Sequence, residues 1–190
     1  MPRIAVVFHS GFGHTKVQAE AVARGAALGG GKVAMVPVEE AVGRIGELNA
    51  ADAIIFGSPT YMGSASAAMK SFMEATSKLW AEQAWKDKLA AGFVNSGSQN
   101  GDKQTVFQQL ITFALQHGMI WVGLDLLPGN NSSKGSVEDL NRLGVAAGAA
   151  AQSNIDEGPE NGPSASDLKT AEHLGRRVAE MAKRFALVAA

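Results

Sequence analysis

Short, uninterrupted apolar runs alternate along the chain with longer stretches in which apolar residues recur every three or four positions. Runs rich in Val, Ile and Phe lie at Arg3–Phe8 and at residues 33–38, 53–57, 89–95 and 119–122. An unbroken apolar run suits a parallel strand covered on both faces; a sheet wet on one side would alternate apolar with polar. Between the runs the period changes. Residues 15–28 place Val17, Ala21 and Leu28 on one helical face, and residues 65–79 do the same with Met69, Phe72, Thr76 and Leu79. Val106, Leu110, Phe113 and His117 form a third stripe, and residues 166–187 a fourth, through Leu168, Ala171, Leu174, Val178, Met181 and Phe185. A weaker helix is expected over residues 40–48.

Strand and helix alternating about five times predict an α/β fold. The expected form is a doubly wound, five-stranded parallel sheet in strand order 2-1-3-4-5, with helices on both faces and right-handed crossovers. The 190 residues suit a single domain, 1–190. In such a fold the ligand sits beyond the carboxyl ends of strands 1 and 3, where the winding reverses. Residues 123–163 are Gly- and Asn-rich and weakly patterned, the mark of a lid or a subunit contact.

The loops at that edge carry the candidate chemistry. After strand 1 the chain reads His9, Ser10, Gly11, Phe12, Gly13, His14, Thr15, Lys16 and enters a helix. Glycines let several backbone amides surround one phosphate, the helix start adds partial positive charge, and Ser10 and Thr15 add hydroxyls. Lys16 stands where a dinucleotide fingerprint needs its third glycine, and the spacing of a triphosphate loop is absent, so a terminal monophosphate fits best. After strand 3 come Ser58, Pro59, Thr60, Tyr61, Met62 and Gly63, whose backbone can bond a polar ring edge while Tyr61 or Met62 covers its face. After strand 4 come Asn95, Ser96, Gly97, Ser98, Gln99 and Asn100, a third polar loop at the same edge. The structural alternatives are Thr15 capping one helix and Ser64 the next. Together the three loops indicate a planar, phosphorylated ligand, FMN.

Composition narrows the class. Hydrophobic residues at 46% against 18% charged describe a packed globular protein. The absence of cysteine removes disulfides, thiolate metal sites and thiol nucleophiles. No His, Asp and Glu set has metal-ligand spacing, so no metal is expected; Asp156, Glu157 and Glu160 read as a solvated loop. A net charge of −1 without basic runs argues against nucleic acid. No apolar stretch reaches membrane-spanning length, and the first run is too short for a signal peptide, so a cytoplasmic protein is expected. Trp121 reads as core and His173 as surface, whereas Trp80 and Trp85 are placed to cover a ligand or a partner.

The stretches HSGFGHT, AIIFGSPTYMGSASAAMKSFMEAT, KLW, NSGSQNG and ALQHGM together resemble the WrbA-type NAD(P)H:quinone oxidoreductases of the flavodoxin-like superfamily over nearly the whole length. The resemblance implies that Ser10, Phe12, Gly13, His14 and Thr15 hold the FMN phosphate, that Pro59, Thr60 and Tyr61 contact the isoalloxazine, and that residues 95–100 lie on its far side. It implies His117 at or near the ring as the catalytic candidate, and Trp80 and Phe12 toward the substrate, Trp80 reaching a neighbouring subunit's site. It further implies NADH or NADPH as donor, a quinone as acceptor, ping-pong turnover and a homo-oligomer, dimer or tetramer. This chain departs from the family in lacking an insertion after strand 2. It also has Phe12 where a tyrosine is usual, and Tyr61-Met62 where an arginine and an aromatic are usual. Two other readings stay open. One is a one-electron carrier, which would favour a strongly acidic surface; the other is a non-enzymatic FMN-binding protein.

Overall fold

The structure, a computed structural model, describes residues 1–188, with side chains through residue 186. Its elements run β1 Arg3–Phe8, α1 His14–Leu28, β2 Lys32–Pro37, α2 Val38–Ala41, α3 Ile45–Asn49, β3 Ala53–Tyr61, β4 Ser64–Ala65 and α4 Ala67–Ala75. They continue with α5 Ser77–Ala81, β5 Leu89–Ser96, α6 Lys103–Gln116, β6 Ile120–Trp121, β7 Ala149–Gln152 and α7 Ala165–Val188. The sheet order β2-β1-β3-β5-β6 is the expected doubly wound order, with every pair on that path parallel.

Seven strands form this sheet where five were expected, and both additions matter for the site. The fifth position is split: β6 pairs with Leu89 and Ala90, and β7 pairs with Phe93 through Ser96 further along β5. Residues 123–148 loop out between the two halves. The weakly patterned segment therefore contains a strand, hidden because its Ala-rich sequence carries no β propensity of its own. Ala149, Ala150 and Ala151 are buried by α6, α7 and β5. The second addition is β4, which pairs antiparallel with the end of β3. The two residues between them, Met62 and Gly63, have φ of 49° and 76°, the backbone a two-residue hairpin needs at both central positions.

Side chains alternate between two cores. Ile4, Val6, Phe8 and Ile55 face α1 and α7, whereas Val7, Ile54 and Phe56 face the layer of α2, α4 and α6. Small residues let α1 and α7 pack closely: a Cβ on Gly25 would strike the carbonyl of Glu172, and one on Gly175 the carbonyl of Val22. The buried face of α1 is accordingly Ala19, Ala21, Val22, Gly25 and Ala26; Leu28, expected inside, is 71% exposed. Phe185, also expected on a buried stripe, lies 43% exposed.

Other expectations are corrected locally. The helices over 40–48 and 65–79 are each broken into two. The cap of α4 is Ser66, which accepts from Met69 N at 3.2 Å, and not Ser64; α1 is capped at Gly13, with Thr15 inside the helix. Trp85 covers no ligand or partner: it is fully buried, donating from Nε1 to Asn49 Oδ1 at 2.8 Å. His173 lies at the surface as expected, where its Nε2 meets Asp125 Oδ1 at 2.6 Å. Among the described residues no helix is long and apolar enough to cross a membrane, and none of the His, Asp and Glu residues group as a metal site.

Candidate functional site

Parallel strands with crossover helices put their carboxyl ends on one edge, so the loops after β1, β3 and β5 converge there without further instruction. They enclose a cavity of about 470 Å³, within the range that takes a cofactor. Of the residues expected at a ligand, Ser10, Phe12, His14, Thr15, Pro59, Thr60, Tyr61, Asn95, Ser96 and Gly97 line it.

At one end lies the turn before α1. Among the described residues, the amides of residues 12–15 find no acceptor, while the Lys16 amide donates to Ser10 Oγ at 3.0 Å. Free amides at a helix start are the arrangement that can take an anion. Gly13 forms the turn at φ 91°, which a side chain would strain. Gly11 lies beneath Tyr61, whose ring meets Phe12 edge-on at 6.2 Å. Burial raises the Tyr61 phenol above its ordinary pKa, so it stays protonated at neutral pH. The Phe12 side chain is 75% exposed at the rim.

At the other end are two buried polar atoms without a partner, Thr60 Oγ1 and Asn95 Oδ1. Asn95 is held in place by its own amide, which donates to Ser153 Oγ at 2.9 Å. Ser58 fixes the preceding loop by donating to the Pro59 carbonyl at 2.8 Å and accepting from Ser66 N at 3.0 Å. The residues that set the cavity's shape are thus themselves hydrogen-bonded, and two polar groups are left for a ligand.

The fourth wall comes from within residues 123–163, the stretch expected to form a lid or a subunit contact. β7 carries the chain back to the carboxyl edge, and Ser153, Asn154, Ile155, Glu157 and Gly158 line the cavity. This loop closes on the phosphate turn: His14 Nε2 meets the Glu157 carbonyl at 3.0 Å, and a Cβ on Gly13 would come within 2.8 Å of Pro159. Glu157 is exposed in a loop, as expected, and also lines the cavity. The only available signal was the small-apolar run before it, recognisable as a strand once β5 is in place. Among the described residues no Lys or Arg lines the cavity.

Met62 and Gly63 sit at the hairpin tip, with Met62 fully exposed, and Ser98, Gln99 and Asn100 are exposed beyond the cavity. His117 and Trp80 are not brought to this cavity within one chain. They line a second one of about 600 Å³ between α4, α5 and α6, with Met73, Thr76, Gln109 and Phe113. Ser64, paired with Tyr61 at the end of β3, also lines this larger space. His117 is buried against Trp85, with ring centroids 4.6 Å apart, and burial pushes its pKa below the usual histidine value.

Comparison with known proteins points the same way. A family model described as NADPH-dependent FMN reductase matches residues 22–130. A Pseudomonas aeruginosa protein named Flavodoxin FldP is 42% identical, over 97% of this chain and 99% of that protein. A Paracoccus denitrificans protein named NAD(P)H dehydrogenase (quinone) is 38% identical, over 96% of this chain and 94% of that protein. Among solved structures, a flavodoxin described as WrbA-like, from Agrobacterium tumefaciens, superposes with a TM-score of 0.75. It is 38% identical, covering 97% of this chain and 99% of that one.

Proposed function

We propose that this chain, which belongs to the NADPH-dependent FMN reductase family, holds one FMN and moves two electrons from NADH or NADPH to a quinone in ping-pong fashion. The observation that carries this reading is one cavity with unpaired donors at one end and unpaired polar side-chain atoms at the other. The amides of residues 12–15 would take the phosphate, and Thr60 Oγ1 and Asn95 Oδ1 the polar edge of the ring. FMN, when bound, supplies the redox chemistry: it accepts hydride from a nicotinamide and passes electrons on.

The protein's own residues bind, orient and shield. Pro59, Tyr61 and Phe12 provide apolar surface beside the ring, and the loop at 153–158 covers the phosphate turn. Exposed Phe12, Met62 and Ile155 suit an apolar acceptor approaching along the cavity mouth. His117 and Trp80 wall a different cavity of the same chain, so a role for them at a flavin requires a second subunit, consistent with a homo-oligomer.

A second reading, a one-electron carrier, is favoured by the relative named a flavodoxin; the absence of strong net charge weighs against it. One experiment separates the two. Purified protein is loaded with FMN, its visible absorbance recorded, and NADH and NADPH oxidation followed with and without benzoquinone. Oxidation that depends on quinone, with parallel double-reciprocal lines, is expected. Bound flavin that neither nicotinamide reduces would favour the carrier, and protein that ignores added FMN would sink both.

A further inference from the structure

Lys103 opens α6, where a cation opposes the helix dipole and a solvated rotamer is available to any lysine. It is nevertheless only 2% exposed. Its side chain folds back under the loop after β5, where Nζ donates to the carbonyls of Ser98 at 2.9 Å, Gln99 at 2.8 Å and Asn100 at 3.4 Å. An ammonium has three protons to donate, and all three are used. Gln152 Nε2 holds the preceding carbonyl, that of Gly97, at 2.9 Å. Four consecutive carbonyls are therefore each held by a buried or half-buried side-chain donor. Because a trans peptide points its N–H opposite to its C=O, the amides of residues 98–101 face the other way. Burying an amine this thoroughly is costly, and an apolar residue at this helix start would avoid the cost.

We propose that Lys103 is a positioning residue: by collecting the carbonyls of residues 98–100 it fixes the loop whose first members, Asn95, Ser96 and Gly97, form the cavity wall facing the flavin ring. This rests on the reading that the cavity holds FMN. The charged groups facing Lys103 are Asp167, which favours its charged form, and Arg142, which opposes it. Those two are already engaged with each other: Arg142 Nε and Nη2 donate to Asp167 Oδ1 and Oδ2 at 2.8 and 2.7 Å. Lys103 is thus held chiefly by carbonyl dipoles, and burial lowers its pKa to about 8. Above that pH a neutral amine keeps two donors at most for three carbonyls, and the loop loses a tie.

The test compares wild type with Lys103→Met and Lys103→Arg by FMN fluorescence quenching between pH 6.5 and 9.5. Lys103→Met should bind FMN about tenfold more weakly at pH 7, the loss of roughly one charge-assisted hydrogen bond's net worth. Wild-type affinity should fall through pH 8 relative to that variant, whose profile stays flat, and Lys103→Arg should keep its affinity at pH 9. Subtilisin nicking of the flavin-free proteins reads loop order without any flavin, and should be faster within residues 97–101 for Lys103→Met. Equal FMN affinity and equal nicking for wild type and Lys103→Met would overturn the proposal. Faster nicking in a protein that binds no FMN would keep the positioning role and overturn the flavin reading instead.

Discussion

The hydroxyl of Thr76 donates to the carbonyl of Met73 at 2.7 Å, so toward His117 Nε2, 3.0 Å away, it can only accept. The imidazole therefore carries its proton on Nε2. Its Nδ1 is left buried without a partner, in a pocket of Trp85 and Phe113. Neutrality is what this setting enforces, because charging the ring would bury a cation with nothing to pair it.

A pH dependence of stability follows. The His117 pKa is lowered in the folded chain, so as pH falls below about 6.5 the unfolded chain takes up a proton that the folded chain refuses. Stability contributed by the neutral ring is present above that pH and is lost as pH drops toward the folded value, at no more than about 1.4 kcal/mol per pH unit. Urea unfolding at pH 7.5, 6.5 and 5.5 should show this slope reduced in His117→Asn relative to wild type; identical slopes would contradict it.

Thr60 should trade stability against binding. Its Oγ1 is buried and unpaired, and replacing such a group by a methyl removes a desolvation cost of about 1–3 kcal/mol. Thr60→Val is expected to raise the flavin-free protein's unfolding free energy by roughly 1 kcal/mol and to weaken FMN binding several-fold. A variant that binds FMN as tightly as wild type would show that the hydroxyl faces no ligand.

The phosphate turn can be tested by subtraction. Ser10 Oγ accepts the Lys16 amide at 3.0 Å and lines the cavity. Ser10→Ala should weaken FMN by about 3–10-fold, one hydrogen bond's net contribution, and leave the affinity for riboflavin, which lacks the phosphate, unchanged. An equal loss for both flavins would place the phosphate elsewhere.

Gly25 and Gly175 each occupy the space where the other helix's backbone passes. Gly25→Ala should destabilise the protein by about 3 kcal/mol through overpacking, a fall in Tm of roughly 10 °C for a chain this size. Because either substitution forces α1 and α7 apart, the double variant should cost less than the sum of the singles. Additive losses in calorimetry would mean that the two contacts are independent.

Much of this molecule was legible in the order of residues. Uninterrupted Val, Ile and Phe runs separated by helical periods determine a parallel, doubly wound sheet, since only strands covered on both faces tolerate such runs. The carboxyl ends of parallel strands share an edge, so the loops at Ser10, Thr60 and Asn95 had to meet. Local chemistry also marked the turn at residues 10–15 as an anion seat, because glycine spacing and a helix start act over a few residues. What the tertiary structure alone decided depends on partners distant in the chain. The Ala-rich β7 is a strand only because β5 offers it hydrogen bonds, and through it Glu157 and Asn154 reach the site. Trp85 is buried because Asn49 can accept from its ring nitrogen, and His117 is kept from the carboxyl-edge cavity by packing against Trp85 and Phe113. Lys103 reads as an ordinary helix-start cation until three carbonyls are found around it. The turn at residues 10–15 is written in short-range geometry; the walls that close the cavity beside it are set by burial and pairing across 50 or more residues of sequence.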